Sequence, residues 1–215
     1  MSDIIREQEK RVHRYWTEDG LPDLYIGLSF IVYAALLTWR VAGAPGWAEF
    51  LISAFPILIV IFGRWLIEAA KQRVTYPRTG YVKYPLPTRR QVTRRVMASL
   101  IVAALLLAVT LFGFLHGGEE GGLLLIGYLM PLLFTFIIGV IAYRQNSLRY
   151  ALYAVLAGLF GLTGAFLAPR LPSSAWRTAI ADGAAILFPL GIAILIGGVW
   201  TFLRYLRLHP PREAE

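Results

Sequence analysis

Side chains that could hold a metal or act in catalysis are scarce, and the densest group is His116, Glu119 and Glu120. An imidazole and two carboxylates at this spacing can converge on one ion if their segment is helical. Glycines at positions 117, 118, 121 and 122 instead favour a solvated turn. A closed metal site also needs a further fixed ligand. We therefore expect no metal and no cofactor here.

Sequence motifs of enzymes are missing from the chain. None of GxSxG, HExxH, the P-loop or GxGxxG occurs. The chain has no cysteine, which excludes disulfides, thiolate nucleophiles and thiolate-bound metals. The histidines His13, His116 and His209 do not form a recognisable Ser–His–Asp arrangement. The sequence therefore predicts a protein that is not an enzyme.

The segment 75–85, TYPRTGYVKYP, mixes aromatic and cationic side chains in the most basic part of the chain. Two short β-prone pieces, residues 73–76 and 81–84, flank a turn that begins near Pro77 and closes at Gly80. This pattern predicts a short β-hairpin-like loop. The residues we single out as a recognition loop are Tyr76, Pro77, Arg78, Gly80, Tyr81, Lys83 and Tyr84.

Two roles suit this loop. Aromatic faces beside an arginine suit an anionic headgroup or an acidic or phosphorylated partner. The same residues also suit a structural clip, in which tyrosine and arginine anchor the flanking helices at the membrane interface. The sequence leaves both open.

Six apolar blocks of transmembrane length divide the chain. They cover residues 24–41, 48–67, 97–115, 123–142, 150–168 and 179–203. The hydrophobic fraction is 57% and the mean hydropathy is +0.60, which is typical of membrane proteins. About 20 apolar residues suffice for a helix to cross the hydrocarbon. The sequence therefore predicts an all-α, polytopic membrane protein with six transmembrane helices.

The basic residues predict how the chain is threaded. All but three of the 21 lysines and arginines lie before the first block, from Arg64 at the end of the second block to Arg95, in the fourth connection, or after the sixth block. Cytoplasmic loops are enriched in positive charge, so both termini and the 70–95 loop, between helices 2 and 3, are predicted to be cytoplasmic. We expect an integral, multi-pass protein of a bacterial-type plasma membrane.

Residues 1–20 are predicted to form an amphipathic helix in the cytoplasmic interface, ahead of a membrane domain that covers residues 21–215. Val12, Tyr15 and Trp16 lie near one helical face, with charged residues around it. Gly20 and Pro22 then break the chain before the first transmembrane block. The apolar face can contact lipid or the protein's own cytoplasmic loop, and the sequence does not separate the two.

Small residues recur at helical spacing in the last two blocks. The positions predicted to pack helices closely are Ala154, Gly158, Gly161, Ala165 and Gly197. Such packing can occur within the chain or between two copies.

The function predicted from these features is a non-catalytic scaffold or accessory role. The formal charge of +8 is explained by membrane topology, so we expect no nucleic-acid partner. The expected partners are anionic lipid headgroups at the cytoplasmic face and a protein partner or a second copy. The alternative is a small permease or channel for a neutral, hydrophobic or anionic solute, with helices bent at Pro56, Pro131 and Pro189.

Overall fold

The computed structural model describes residues 17–79, 128–167 and 183–210, and isolated positions at 93, 97, 104, 105, 108, 109, 111, 112, 115, 116 and 170. These residues form helices and their connections, and no strand occurs among them. The helices with defined bounds are α1 (Leu21–Val41), α2 (Gly46–Val74), α3 (Tyr76–Thr79), α4 (Tyr128–Gln145), α5 (Leu148–Leu167) and α6 (Ala184–Leu208).

Five of these helices are long and apolar enough to span a membrane. They coincide with the first, second, fourth, fifth and sixth predicted blocks, so an all-α, multi-pass membrane architecture is confirmed. The third block lies mostly outside the described residues, and the number of six spans stays a prediction. The predicted interfacial helix before residue 17 also lies outside them.

Helix α1 begins at a sharp turn that only glycine makes easily. Gly20 caps the helix with a φ of 71°, in the left-handed region, and Pro22 lies in the first turn, where its missing N–H costs nothing. A Cβ at Gly20 would lie 2.7 Å from the carbonyl oxygen of Gly198. The turn therefore brings the start of α1 directly onto α6.

Glycines bring the backbones of α1 and α6 into contact along an antiparallel crossing. A Cβ at Gly27 would lie 2.7 Å from the amide nitrogen of Leu195, and one at Gly191 would lie 3.0 Å from the carbonyl oxygen of Gly27. Without a side chain at these positions the two helices gain close van der Waals contact between the first part of α1 and the middle of α6. We call the glycines at positions 20, 27, 191 and 198 the glycine seam.

Helices α4 and α5 pack through small residues and an interior cluster shared with α6. Gly158 faces the side chain of Thr135, and Gly161 faces Pro131. Ala154 and Ala157 are buried in a cluster that also contains Leu190 of α6. The connection between α4 and α5 is a tight turn, in which Asn146 has a φ of 48°.

Helix α2 lies at the edge of the bundle and is longer than its apolar block. Its side chains Phe50 and Val60 are 80% and 77% exposed, as expected for side chains that face lipid. The apolar block ends at residue 67, whereas the helix continues to Val74. This extension carries Lys71 to the end of the bundle.

The prediction of a first strand at residues 73–76 is wrong, because this segment is part of the helical structure. Arg73 and Val74 complete α2, and residues 76–79 form α3. The N–H of Thr75 donates to the carbonyl of Lys71, and the N–H of Arg78 donates to the carbonyl of Thr75. Helical spacing is favoured here because it turns the side chains of Lys71 and Thr75 toward the same partner, Asp19. The second predicted strand lies outside the described residues.

Candidate functional site

A buried ion pair joins the turn before α1 to the last turns of α2. Lys71 Nζ lies 2.6 Å from Asp19 Oδ2, and both side chains are only 1% exposed. Thr75 Oγ1 donates to the same oxygen at 2.9 Å, and Asp19 Oδ1 accepts from the N–H of Leu21. The carboxylate is thus held by a cation, a hydroxyl and a backbone amide, which is the kind of environment that makes a buried charge tolerable.

A second ion pair joins α1 to α5. Arg149 Nη1 lies 3.1 Å from Asp23 Oδ2, and Tyr150 Oη donates to Asp23 Oδ1 at 2.7 Å. Arg149 also donates to Thr201 Oγ1 on α6 and, at 3.0 Å, to the carbonyl oxygen of Thr17. One guanidinium therefore ties together three segments that are distant in sequence.

These contacts bring parts of all six described helices together at one end of the bundle. Thr17 Oγ1 donates to Gln145 Oε1 at the end of α4, and Arg78 Nη1 of α3 donates to the carbonyl oxygen of His209 after α6. We call this region, from the Asp19–Lys71 pair to the Asp23–Arg149 pair, the charged end.

The exposed charge at the charged end is mostly positive. Its two buried carboxylates are already matched by Lys71 and Arg149. Four further arginines are exposed, and none of them makes an ion pair within the part of the chain that the structure describes; they are Arg73, Arg144, Arg204 and Arg207. At the opposite end, Arg40 and Glu49 lie 3.8 Å apart and balance each other. Among the described residues, the charged end therefore carries more exposed positive charge than the opposite end.

A polar cavity of about 310 Å³ opens at the charged end, between α5, α6 and the turn before α1. Arg149 and Arg204 supply its cationic groups, and Glu18 is the carboxylate in its lining. Gln145, Asn146, Ser147, Thr201 and His209 add further donors and acceptors. This chemistry suits a small anion with several oxygen atoms.

Three buried polar atoms have no hydrogen-bond partner among the described residues: Asp23 Oδ2, Thr135 Oγ1 and Tyr153 Oη. Asp23 Oδ2 is still in ion-pair contact with Arg149. Tyr153 Oη lies against Gly197, and Thr135 Oγ1 lies 3.0 Å from the position of a Cβ on Gly158. Burying a polar atom without a hydrogen-bond partner costs free energy. Apolar helix packing alone therefore does not account for the hydroxyls of Thr135 and Tyr153 in the interior.

The structure divides the predicted recognition loop. Tyr76, Pro77 and Arg78 lie in α3, and Arg78 is half-buried and bonded to the carbonyl of His209. The remaining members, Gly80, Tyr81, Lys83 and Tyr84, lie outside the described residues. The Arg78 contact fastens α3 to the end of α6, a contact of the kind that a structural clip requires.

The five predicted packing residues all lie in α5 or α6. Ala154 and Ala165 are buried. Gly158, Gly161 and Gly197 face Thr135, Pro131 and Tyr153 of the same chain. Their described contacts are therefore between neighbouring helices of one molecule.

The group around His116 is only partly described. The His116 ring stacks on Phe112, one turn earlier, with ring centroids 4.1 Å apart. Glu119 and Glu120 lie outside the described residues. Among the described side chains, no three of His, Cys, Asp or Glu come close enough to hold a metal ion.

The two buried carboxylates are not among the functional residues predicted from the sequence. The sequence predicts a turn around Asp19 and Asp23 and places Lys71 and Arg149 in cytoplasmic connections. One signal was available: two acids lie just before a transmembrane block, on the side where basic residues predominate. Their partners lie 52 and 126 positions away, which no local pattern reveals.

Comparison of the chain with protein-family models, with curated proteins and with solved structures finds no match.

Proposed function

We propose that this protein is a non-catalytic scaffold or accessory subunit of a bacterial-type plasma membrane, and that its charged end faces the cytoplasm and binds anionic lipid headgroups. The observation that carries the proposal is the imbalance of exposed charge at that end. The buried carboxylates are neutralised internally, so the exposed arginines are left to attract anions from the membrane surface. The positive-inside rule gives the same orientation.

The proposal is tested by the thermal stability of the purified protein in a mild non-ionic detergent, with either phosphatidylglycerol or phosphatidylcholine added. A lipid that binds only the folded protein raises its Tm. We expect phosphatidylglycerol to raise Tm by several degrees more than phosphatidylcholine, and the difference to shrink as NaCl is raised to about 0.5 M, because salt screens exposed charge. Equal effects of the two lipids would contradict the proposal.

A partner protein or a second copy on the same face remains part of this proposal. A scaffold must bind another molecule. The exposed arginines can form ion pairs with an acidic segment of a protein as well as with a lipid headgroup. Crosslinking and mass measurement in mild detergent test self-association. A monomer at all concentrations would remove the second copy from the proposal.

The second candidate function is a small permease or channel for a neutral, hydrophobic or anionic solute. The unpartnered hydroxyls of Thr135 and Tyr153 favour it, since a polar path through the bundle needs such groups in the interior. Flux of glycerol and of chloride into proteoliposomes is the test. If the isosteric change Thr135→Val reduces the flux, a polar path through the bundle is supported. If neither glycerol nor chloride enters the proteoliposomes, both are excluded as solutes.

A further inference from the structure

A second depression adjoins the polar cavity. It is an open groove of about 510 Å³ between α4 and α5. Its floor consists of small residues from both helices, namely Gly139, Ala142, Ala151 and Ala154. The exposed side chains of Tyr143 and Leu148 flank it near the charged end. A groove of this kind on a membrane-spanning surface is shaped for an acyl chain.

The groove and the polar cavity meet at the turn between α4 and α5. Asn146 and Ser147 line both of them. An amphiphile that lies across this turn therefore meets polar groups on one side and apolar groups on the other. Neither depression alone offers both.

The polar side offers fixed hydrogen-bond donors and an exposed cation. Arg149 is held there by its bonds to Thr201 and Thr17 and is paired with Asp23, so it presents donors in a fixed geometry and adds no net charge. Arg204 is exposed at the rim of the cavity. Helix α5 begins at Leu148, so its first amides and its positive dipole end also lie at the turn. Because Asp23 neutralises Arg149 and Glu18 opposes Arg204, attraction of an anion depends on Arg204 at the rim, on the fixed donors of Arg149 and on the dipole end of α5.

We propose that the cavity and the groove together form a site for one anionic glycerophospholipid, with the phosphate in the cavity and one acyl chain in the groove. The proposal rests on the proposed function and deepens it, because it replaces a diffuse attraction by one stoichiometric site. The cavity volume is at the lower end of the range of small-molecule sites, which suits a phosphodiester headgroup. The adjoining apolar groove distinguishes a lipid from free phosphate.

Two pairs of variants test the two halves of the site. Arg204→Gln removes the rim cation of the cavity, and Arg207→Gln removes another exposed arginine of α6 that does not line it. Gly139→Leu fills the groove, and a Cβ at Gly139 meets no atom within 4 Å, so the helix bundle should tolerate it. Val140→Leu adds bulk at the next position of α4, outside the groove lining.

The measurement is native mass spectrometry of the intact protein in mild detergent, titrated with phosphatidylglycerol and, separately, with phosphatidylcholine. We expect wild type to retain one phosphatidylglycerol. Arg204→Gln should weaken retention of phosphatidylglycerol about tenfold, because one charge-assisted contact is lost, and Gly139→Leu should do the same, because the acyl chain no longer fits. The controls Arg207→Gln and Val140→Leu should leave retention unchanged.

The other outcomes separate the site from the general proposal. Equal losses for Arg204→Gln and Arg207→Gln would show a diffuse basic surface, which overturns the site and leaves the proposed function standing. A loss with Arg204→Gln but none with Gly139→Leu would show a headgroup or phosphate site without an acyl chain, which also overturns it. Equal retention of both lipids by every variant would overturn the site and the proposed function together.

Discussion

The two ion pairs at the charged end are unusual in a bundle of membrane-spanning helices. A buried charge is costly, and a pair offsets that cost only with good geometry and further hydrogen bonds. The Asp19–Lys71 pair has both, since Thr75 and the N–H of Leu21 complete the carboxylate. Because it joins the turn before α1 to the end of α2, its principal effect is to fix which segments meet.

Loss of one member of this pair should cost far more than loss of both. Lys71→Met leaves Asp19 buried without its cation, and we expect a loss of about 3–5 kcal/mol in the free energy of unfolding. The double change Asp19→Leu with Lys71→Met should recover a large part of this loss, because no charge then remains buried. Thermal unfolding in detergent, followed by circular dichroism, measures both. The exposed Arg73→Gln is the control, with an expected change within about 0.5 kcal/mol.

If Lys71→Met unfolds at the same temperature as Arg73→Gln, the pair does not hold the segment before α1. If the double variant is no more stable than Lys71→Met, the cost comes from lost packing and not from the uncompensated charge.

The sequence revealed where charge accumulates but not which charges are buried. Lys71 lies four residues beyond the end of its apolar block, and hydropathy therefore assigned it to a loop. The helix continues because Lys71 and Thr75 reach Asp19 from one face of α2. That contact spans 52 positions, so no sequence window contains it.

At the scale of the helices, the glycine seam sets how closely α1 and α6 approach. Hydropathy located both helices, because an apolar run is a local property. The small residues predicted to pack were those of α5 and α6, whereas Gly27 of α1 was not singled out. Its role appears only when its neighbour Gly191 is known, since one glycine in an apolar helix predicts nothing by itself.

A side chain in the seam should separate α1 from α6. For Gly191→Val, the Cβ would lie 3.0 Å from the carbonyl of Gly27 and from side chains of Phe30 and Ile31, so the helices must shift. We expect a loss of about 2 kcal/mol or more in unfolding free energy, despite the better helix propensity of valine. Gly139→Val is the matched control, because nothing lies near its Cβ, and it should not destabilise the protein. Both variants are compared by thermal unfolding in the same detergent.

Equal stability of the two glycine variants would mean that α1 and α6 can move apart at little cost in free energy, and that their close contact does not determine the stability of the protein. A large loss for Gly139→Val alone would place the critical packing between α4 and α5 instead.

At the scale of the whole molecule, the described helix ends constrain the threading of the chain. Helix α2 ends at the charged end, and α4 also ends there, at Gln145. Helix α4 therefore begins at the opposite end, where Pro131 faces Gly161. The end of α3 and the start of α4 therefore lie at opposite ends of the bundle. A sixth span between them stays a prediction.

Single cysteines test this threading and its orientation without background, since the chain has none of its own. Gln72→Cys and Leu208→Cys place an exposed thiol near the charged end, and Ala42→Cys places one after α1, at the opposite end. We expect a membrane-impermeant maleimide to label Ala42→Cys in intact cells. The other two should react only after the membrane is permeabilised, because the basic end is retained inside. Labelling of Gln72→Cys and Leu208→Cys from outside would reverse the orientation and remove the charged end from the cytoplasmic leaflet, whereas labelling of only one of them would contradict an even number of spans.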